Sequence, residues 1–163
     1  MKLKILPKRL DVLDALGNDN QFRINIDVLN ECFGANTSLY MKACYPNNDF
    51  LRVKDNNMLA FVWMPKFYYN SSLWKNSISK DENEIYEIAE TERKQDWKLF
   101  SPELLNKYRI VFVKETKDSW YRFVGVYKDY DMSNLKHTYK RVAAKIKLIG
   151  NPVYQIELLN EER

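Results

Sequence analysis

Three β-rich runs in immediate succession constrain this chain more than any other feature. Tyr108 to Leu148 reads YRIVFVK, a short turn ETKD, SWYRFVGVYK, a polar connection, and then TYKRVAAKIKL. Strands that follow one another through short turns pair antiparallel, because a parallel neighbour needs a crossover of a dozen residues or more, usually helical. The pattern therefore excludes a doubly wound nucleotide-binding fold. It predicts a sheet that curls or closes, since closure removes exposed edges. The expected class is α+β and β-rich, a curled antiparallel sheet or β-barrel with two or three short helices.

The rest of the chain fits this plan. A length of 163 residues predicts a single domain over 1–163. Lys8 to Leu16 reads as a short helix with Leu10, Leu13 and Leu16 on one face, and Asn25 caps a second helix through Phe33. These make residues 1–36 a helical lead-in, with FRINI (Phe22 to Ile26) as a rival strand. A meander follows: Leu39 to Tyr45, Phe50 to Lys54 and Met58 to Met64, separated by Asn-rich turns. Pro65 to Ser79 reads as irregular. Glu84 to Ile88 reads as a strand, Ser101-Pro102-Glu103 opens a short helix, and Val153 to Leu159 supplies a last strand.

Charge narrows the partners. Tyr108 to Leu148 holds ten Lys/Arg against four Asp/Glu, whereas the whole chain carries only +4. In the last run, His137, Tyr139, Arg141, Lys145 and Lys147 alternate with Val142, Ala144, Ile146 and Leu148, so a continuous strand presents a cationic face. Such a face suits a nucleic-acid backbone, whose counterions it displaces. A solvated outer face of a half-buried strand gives the same pattern. Acids gather in Asp81 to Asp96, seven against two bases.

Aromatic residues gather in WMPKFYYNSSLWKN. Its rings, with Asn70 or Asn76 to read a base edge, suit a stacking pocket. A loop plugging one end of a barrel is the other reading. Gly125 lies inside a strand, where glycine marks a bulge or bend.

Catalytic constellations are sparse. His137 is the single histidine, which removes most zinc sites and metalloprotease motifs, and no Walker-type loop occurs. Neither a catalytic residue nor a metal or other cofactor is expected. Glu92-Arg93-Lys94 with Asp81 upstream matches the bare end of a metal-dependent nuclease motif, a triplet that a charged run also makes by chance. Two cysteines, Cys32 and Cys44, form no framework and fit a reducing cytoplasm as small buried hydrophobes. No stretch approaches a membrane span.

The run WYRFVGVYKDYDMSNLKHTYKRVAAKI, with SLWKN and IYEI upstream, resembles domains appended to bacterial restriction endonucleases. These are similar to the PUA-like barrel group, which includes SRA and EVE domains and reads modified or flipped bases in DNA. The resemblance spans Trp63 to Leu148. It implies a non-catalytic DNA-binding specificity domain of a bacterial restriction or defence system. Its partner would be double-stranded DNA, modified bases included, with a nuclease or ATPase domain further along the same chain. Barrel readers of this group use an aromatic cage and a polar edge reader; here the candidates are Trp63, Tyr68, Tyr69, Trp74, Asn76 and Trp120. Arg122, Lys136, Tyr139, Arg141, Lys145 and Lys147 are the backbone-contact candidates. The acidic stretch departs from a pure reader, since it repels DNA unless it faces elsewhere. An interaction or structural domain of a bacterial or phage assembly is the alternative from another class, and a small nuclease around Glu92 and Lys94 is a third.

Overall fold

The computed structural model describes residues 10–17, 20–46, 50–68, 74–89, 106–133 and 136–159. Two sheets carry the fold. The larger runs in the order β3 (Cys44–Tyr45), β5 (Ala60–Trp63), β8 (Tyr108–Val113), β9 (Tyr121–Ser133), β10 (Lys136–Ala143), β7 (Glu84–Ala89) and β6 (Trp74–Ile78), with β2 (Gln21–Phe22) pairing on β9. The smaller runs β1 (Val12–Asp14), β11 (Lys145–Gly150), β12 (Val153–Leu158) and β4 (Arg52–Val53). Among the described residues there is one helical run, α1 (Asn25–Asp27), which continues as a π-turn over Val28–Cys32.

The large sheet buries both of its faces. On one, Ala60, Val62, Ile110, Phe112, Phe123 and Val126 pack with Leu13, Ile146 and Ile156 of the small sheet and with Val28, Leu29 and Phe33 of the helical run. Phe112 is the hub, with ring centroids 5.4 Å from Phe123, 5.7 Å from Phe22 and 6.2 Å from Phe33. On the other face, Phe61, Trp63, Ile85, Val111, Val113, Val124, Tyr127 and Tyr139 form a second cluster. Cys44 of β3 and Ile78 of β6 pack against that same cluster, although their strands stand at opposite ends of the sheet. The sheet therefore curls around the second cluster, without β3 and β6 pairing to close it.

Strict two-residue alternation cannot make this arrangement, and bulges supply the difference. Val111 faces Gly125 but Phe112 faces Phe123, so β9 carries one extra residue there. The offset lets Phe123 and Val126 enter the first cluster while Val124 and Tyr127 enter the second. Gly125 has φ +130°, and a Cβ on it would lie 2.6 Å from Arg141 Cδ and 2.7 Å from the Ala143 carbonyl oxygen. Glycine is the residue that this bend requires.

Several expected elements differ. Val12–Asp14 is a strand rather than part of a helix, with Leu13 buried. Its three residues pair with β11, and the long-range pairing overrides the local helical spacing. The meander is not one sheet: β4 joins the small sheet parallel to β12, and β5 lies parallel to β8. The sheets are therefore mixed rather than purely antiparallel. The expected strand from Leu39 shortens to Cys44–Tyr45, whereas the segment read as irregular contains β6. Glu84–Ala89 forms a strand where one was expected. The expected helix at Ser101 lies outside the described residues, as does most of the proposed first helix turn.

Replacing Gly125 with alanine should cost about 2–3 kcal/mol, because a strained backbone and a backbone clash coincide. Urea midpoints of the two proteins measure this, and an unchanged midpoint would rule out the bend as a constraint.

Candidate nucleic-acid interface

The curl leaves an open cavity of about 630 Å³ at one end of its inner face. Trp63 to Lys66 line it from β5 onward, Asn76 from β6 and Glu87 from β7; Leu39 to Ala43 form a lip, and Lys114 and Tyr121 flank the base of the β8–β9 turn. The lip is anchored. Asn25 Nδ2 donates to the Tyr40 carbonyl at 2.6 Å, and the Tyr40 hydroxyl donates to the Cys44 carbonyl.

The cavity's chemistry comes from one cross-strand row. Asn76 pairs with Glu87, and Glu87 with His137, across β6, β7 and β10. Alternation puts these three side chains on the inner face. The Asn76 Oδ1 is buried and has no hydrogen-bond partner among the described residues. Glu87 Oε1 accepts from the Tyr139 hydroxyl at 2.8 Å. The Tyr139 oxygen lies 3.1 Å from His137 Nδ1, and His137 Nε2 lies 2.9 Å from Asp129 Oδ1. Asp129 Oδ2 accepts the Asn106 N–H at 2.8 Å.

A buried guanidinium completes the interior. Arg109 is 4% exposed, and its carbon lies 4.3 Å from the Tyr139 ring centroid, 4.8 Å from Trp63 and 4.9 Å from Phe61. Three ring faces offset part of the cost of taking this charge out of water. Burial alone would raise the Asp129 carboxyl, but the His137 hydrogen bond, the Asn106 N–H and the Arg109 charge outweigh it and hold it below its ordinary value. Burial pushes the Cys44 thiol up, against the opposing pull of Arg109, and raises the Tyr121 hydroxyl to about 12.

Cations sit on the rim. Lys42 and Lys66 are exposed and Lys114 half-buried, and none has an ion pair among the described residues. Lys66 and Lys114 are bridged neighbours. Like charges set opposite each other repel unless an anion lies between them.

The expected cationic stripe is not one face. His137 and Tyr139 turn inward and are buried, at 1% and 0% exposure. Tyr139 as folded therefore has no surface to offer a phosphate, and His137 is not a surface residue. An extra residue at Val142 then shifts the alternation, and the chain passes from one sheet to the other at Ala144. Arg141 spans Gly125, reaching the Val124 carbonyl at 3.3 Å and Asn83 Oδ1 at 3.2 Å. Lys145 and Lys147 lie on the small sheet opposite Asp14 and Glu157 respectively. Arg122 bridges Glu82 and Glu115, each at 2.8 Å. Lys136 is exposed and covers the Tyr86 ring at 4.2 Å.

The aromatic candidates also separate. Trp63 and Asn76 line the cavity, and half-buried Tyr68 lies close enough to Tyr121 to influence its hydroxyl. Trp120 is 53% exposed and lines a different cleft of about 380 Å³ with Gln21 and Arg122. Tyr69 and Asn70 lie outside the described residues, as do the side chain of Trp74 and the Glu92–Lys94 triplet. Asp81 is engaged in its turn, accepting from Ser79 Oγ at 2.7 Å and the Asn83 N–H at 3.0 Å. Among the described residues no cluster of three His, Cys, Asp or Glu could hold a metal, and no helix is long and apolar enough to cross a membrane.

Glu87, Asp129, Arg109 and the rim lysines were missed from the sequence. Only Glu87 left a signal: it shares a face with Ile85 in a strand that alternation buries.

Residues 13–148 match the SET and RING associated (SRA) domain. The chain belongs to the SRA family. This SRA domain is also similar in structure to the 5-hydroxymethylcytosine-specific restriction enzyme AbaSI, with a TM-score of 0.65 and 25% identity. The match covers 84% of the chain but 42% of AbaSI. No curated protein matches the chain.

The depressed Asp129 carboxyl carries a stability consequence. The folded SRA domain takes up this proton less readily than the unfolded chain. Its contribution is complete above the ordinary value of 3.8 and is lost as pH falls through the lower folded value. Asp129→Asn should therefore flatten the acid limb of stability. Urea midpoints measured from about pH 5 to about pH 2.5 check this, and equal acid slopes in both proteins would refute it.

Proposed function

We propose that this SRA domain binds double-stranded DNA and receives a 5-modified cytosine, turned out of the helix, in the cavity between β5 and β6. The observation that carries the reading is the buried Asn76 Oδ1, without a partner among the described residues, beside Glu87 in a lysine-rimmed cavity. A buried acceptor without a partner is costly, and a ligand donor would relieve it. Trp63 supplies an aromatic wall for an unstacked base. Glu87 and Asn76 Oδ1 both accept, so together they favour a base presenting an amino group. Membership of the SRA family and likeness to AbaSI support DNA as the partner and 5-hydroxymethylcytosine as the modification to test first.

Phosphate contacts then fall to Lys42, Lys66 and Lys114, with Lys136 and Lys75, both exposed and both opposite Ile88 in the sheet, as outer contributors, rather than to Arg122 or Arg141, whose charges serve the fold. The finer proposal is that the domain is the non-catalytic specificity module of a bacterial restriction or defence enzyme, working in the cytoplasm with a nuclease or ATPase domain.

Two measurements test this reading. Duplexes carrying one 5-hydroxymethylcytosine, 5-methylcytosine or cytosine should bind with different affinities, and Asn76→Ala or Glu87→Gln should weaken the tightest-bound duplex most, because a base no longer held by its amino group leaves the pocket. Equal binding of all three by the unaltered domain would overturn the base pocket. Replacing Lys42, Lys66 and Lys114 together by alanine should weaken every duplex alike and reduce the salt slope by about 0.9 for each phosphate no longer neutralised. An unchanged slope would place the backbone elsewhere.

A further inference from the structure

A domain that tolerates a substituent at position 5 of a pyrimidine faces a specific problem. Thymine carries one too, so it has to be rejected at the neighbouring Watson–Crick edge, where C4 bears an amino group in cytosine and an oxygen in thymine. An ionised carboxylate only accepts hydrogen bonds, so a fixed Glu87 discriminates at that edge. A carboxylate free to rotate away does so poorly.

The interior supplies the fixing. Tyr139 donates to Glu87 Oε1 at 2.8 Å, while no hydrogen bond to Oε2 is found among the described residues. Tyr139 is itself immobilised on every side. It is fully buried, its ring lies 5.2 Å from Trp63, and the Arg109 guanidinium sits over it at 4.3 Å. His137 stacks on it with centroids 4.1 Å apart and planes 24° apart, and Asp129 holds His137 from behind. Asp129 is tied in turn to the backbone N–H of Asn106. The chain of contacts thus runs from backbone to cavity wall and ends on one carboxylate oxygen. Removing the Tyr139 hydroxyl alone takes away the bond to Glu87 and leaves the ring to pack as before.

We propose that Tyr139, held by the His137–Asp129 pair, is a positioning residue that fixes Glu87 and so sets the preference of the pocket for cytosine-type over thymine-type bases. The inference rests on the base-pocket reading above. Tyr139 touches no base; it acts through Glu87 alone. The loss of its hydroxyl should therefore matter only while Glu87 is a carboxylate.

The test is a double-mutant cycle on two duplexes that differ only at C4 and the adjoining N3 of one base. One carries 5-hydroxymethylcytosine opposite guanine, the other 5-hydroxymethyluracil opposite guanine. The second is a mismatch and opens more easily, so a preference for the first must come from the pocket. The unaltered domain should prefer the 5-hydroxymethylcytosine duplex. Tyr139→Phe should lower that ratio about tenfold, and Asp129→Asn should lower it in the same direction. In a Glu87→Gln background, Tyr139→Phe should add nothing. Additive losses would mean that Tyr139 acts on the fold at large, and would overturn the inference. So would a ratio preserved in Tyr139→Phe but abolished by Glu87→Gln, which leaves the pocket reading standing. No preference in the unaltered domain would remove both. Thermal midpoints of the variants, compared with that of Phe61→Leu as a packing control, separate a loss of folding from a loss of discrimination.

Discussion

The domain depends on one strand serving two interiors. β9 runs for thirteen residues from Tyr121 to Ser133 and pairs with β8, β10 and β2. Its early residues fill the core against the small sheet, and its inner-face residues fill the curl. The offset at Gly125 makes both possible, because the extra residue changes which face each later side chain meets. Arg141 lies across the glycine where a side chain would otherwise stand, so the bend and the arginine occupy one space. A basic residue read as a surface contact is part of the machinery of curvature.

The curl creates an interior that is unusual in its chemistry. Arg109, Asp129, Glu87 and His137 share the inner face with Trp63 and Tyr139. Charges buried this way contribute little net stability, since desolvation offsets most of their attraction. Their geometric demands are stricter than those of apolar packing, however, and every tie in the row constrains the next. The result is a wall that carries acceptors at the border of a cavity.

Charge is divided by role. Arg122 and Arg141 are consumed in holding turns and strands, and Lys147 and Lys54 lie beside Glu157. The cations left without acidic partners among the described residues include Lys42, Lys66 and Lys114 at the cavity rim. Two of these come from segments of ordinary composition, so a net-charge count along the chain points elsewhere. In the proposed reading, phosphate contact and base selection sit on one face, a rim around a floor.

Alternation in YRIVFVK, RFVGVYK and IYEIA was enough to define strands, a β-rich curled class and Gly125 as a bend. The gathering of rings and amides in WMPKFYYNSSLWKN singled out Trp63 and Asn76, although that segment read as irregular and not as the strand Trp74–Ile78. The aromatic-basic phrase around Gly125 carried the family resemblance. Which residues meet across the sheet was not legible. Bulges shift alternation by one residue, and the pattern has no mark for where they fall apart from a glycine. Neither could the sequence reveal that β3 and β6 pack on one cluster, since that packing joins segments far apart in the chain. Local spacing determined the strands and their apolar faces. Only tertiary structure decided that His137 and Tyr139 turn inward to hold Glu87, because burial of a side chain follows from which strands curl around it.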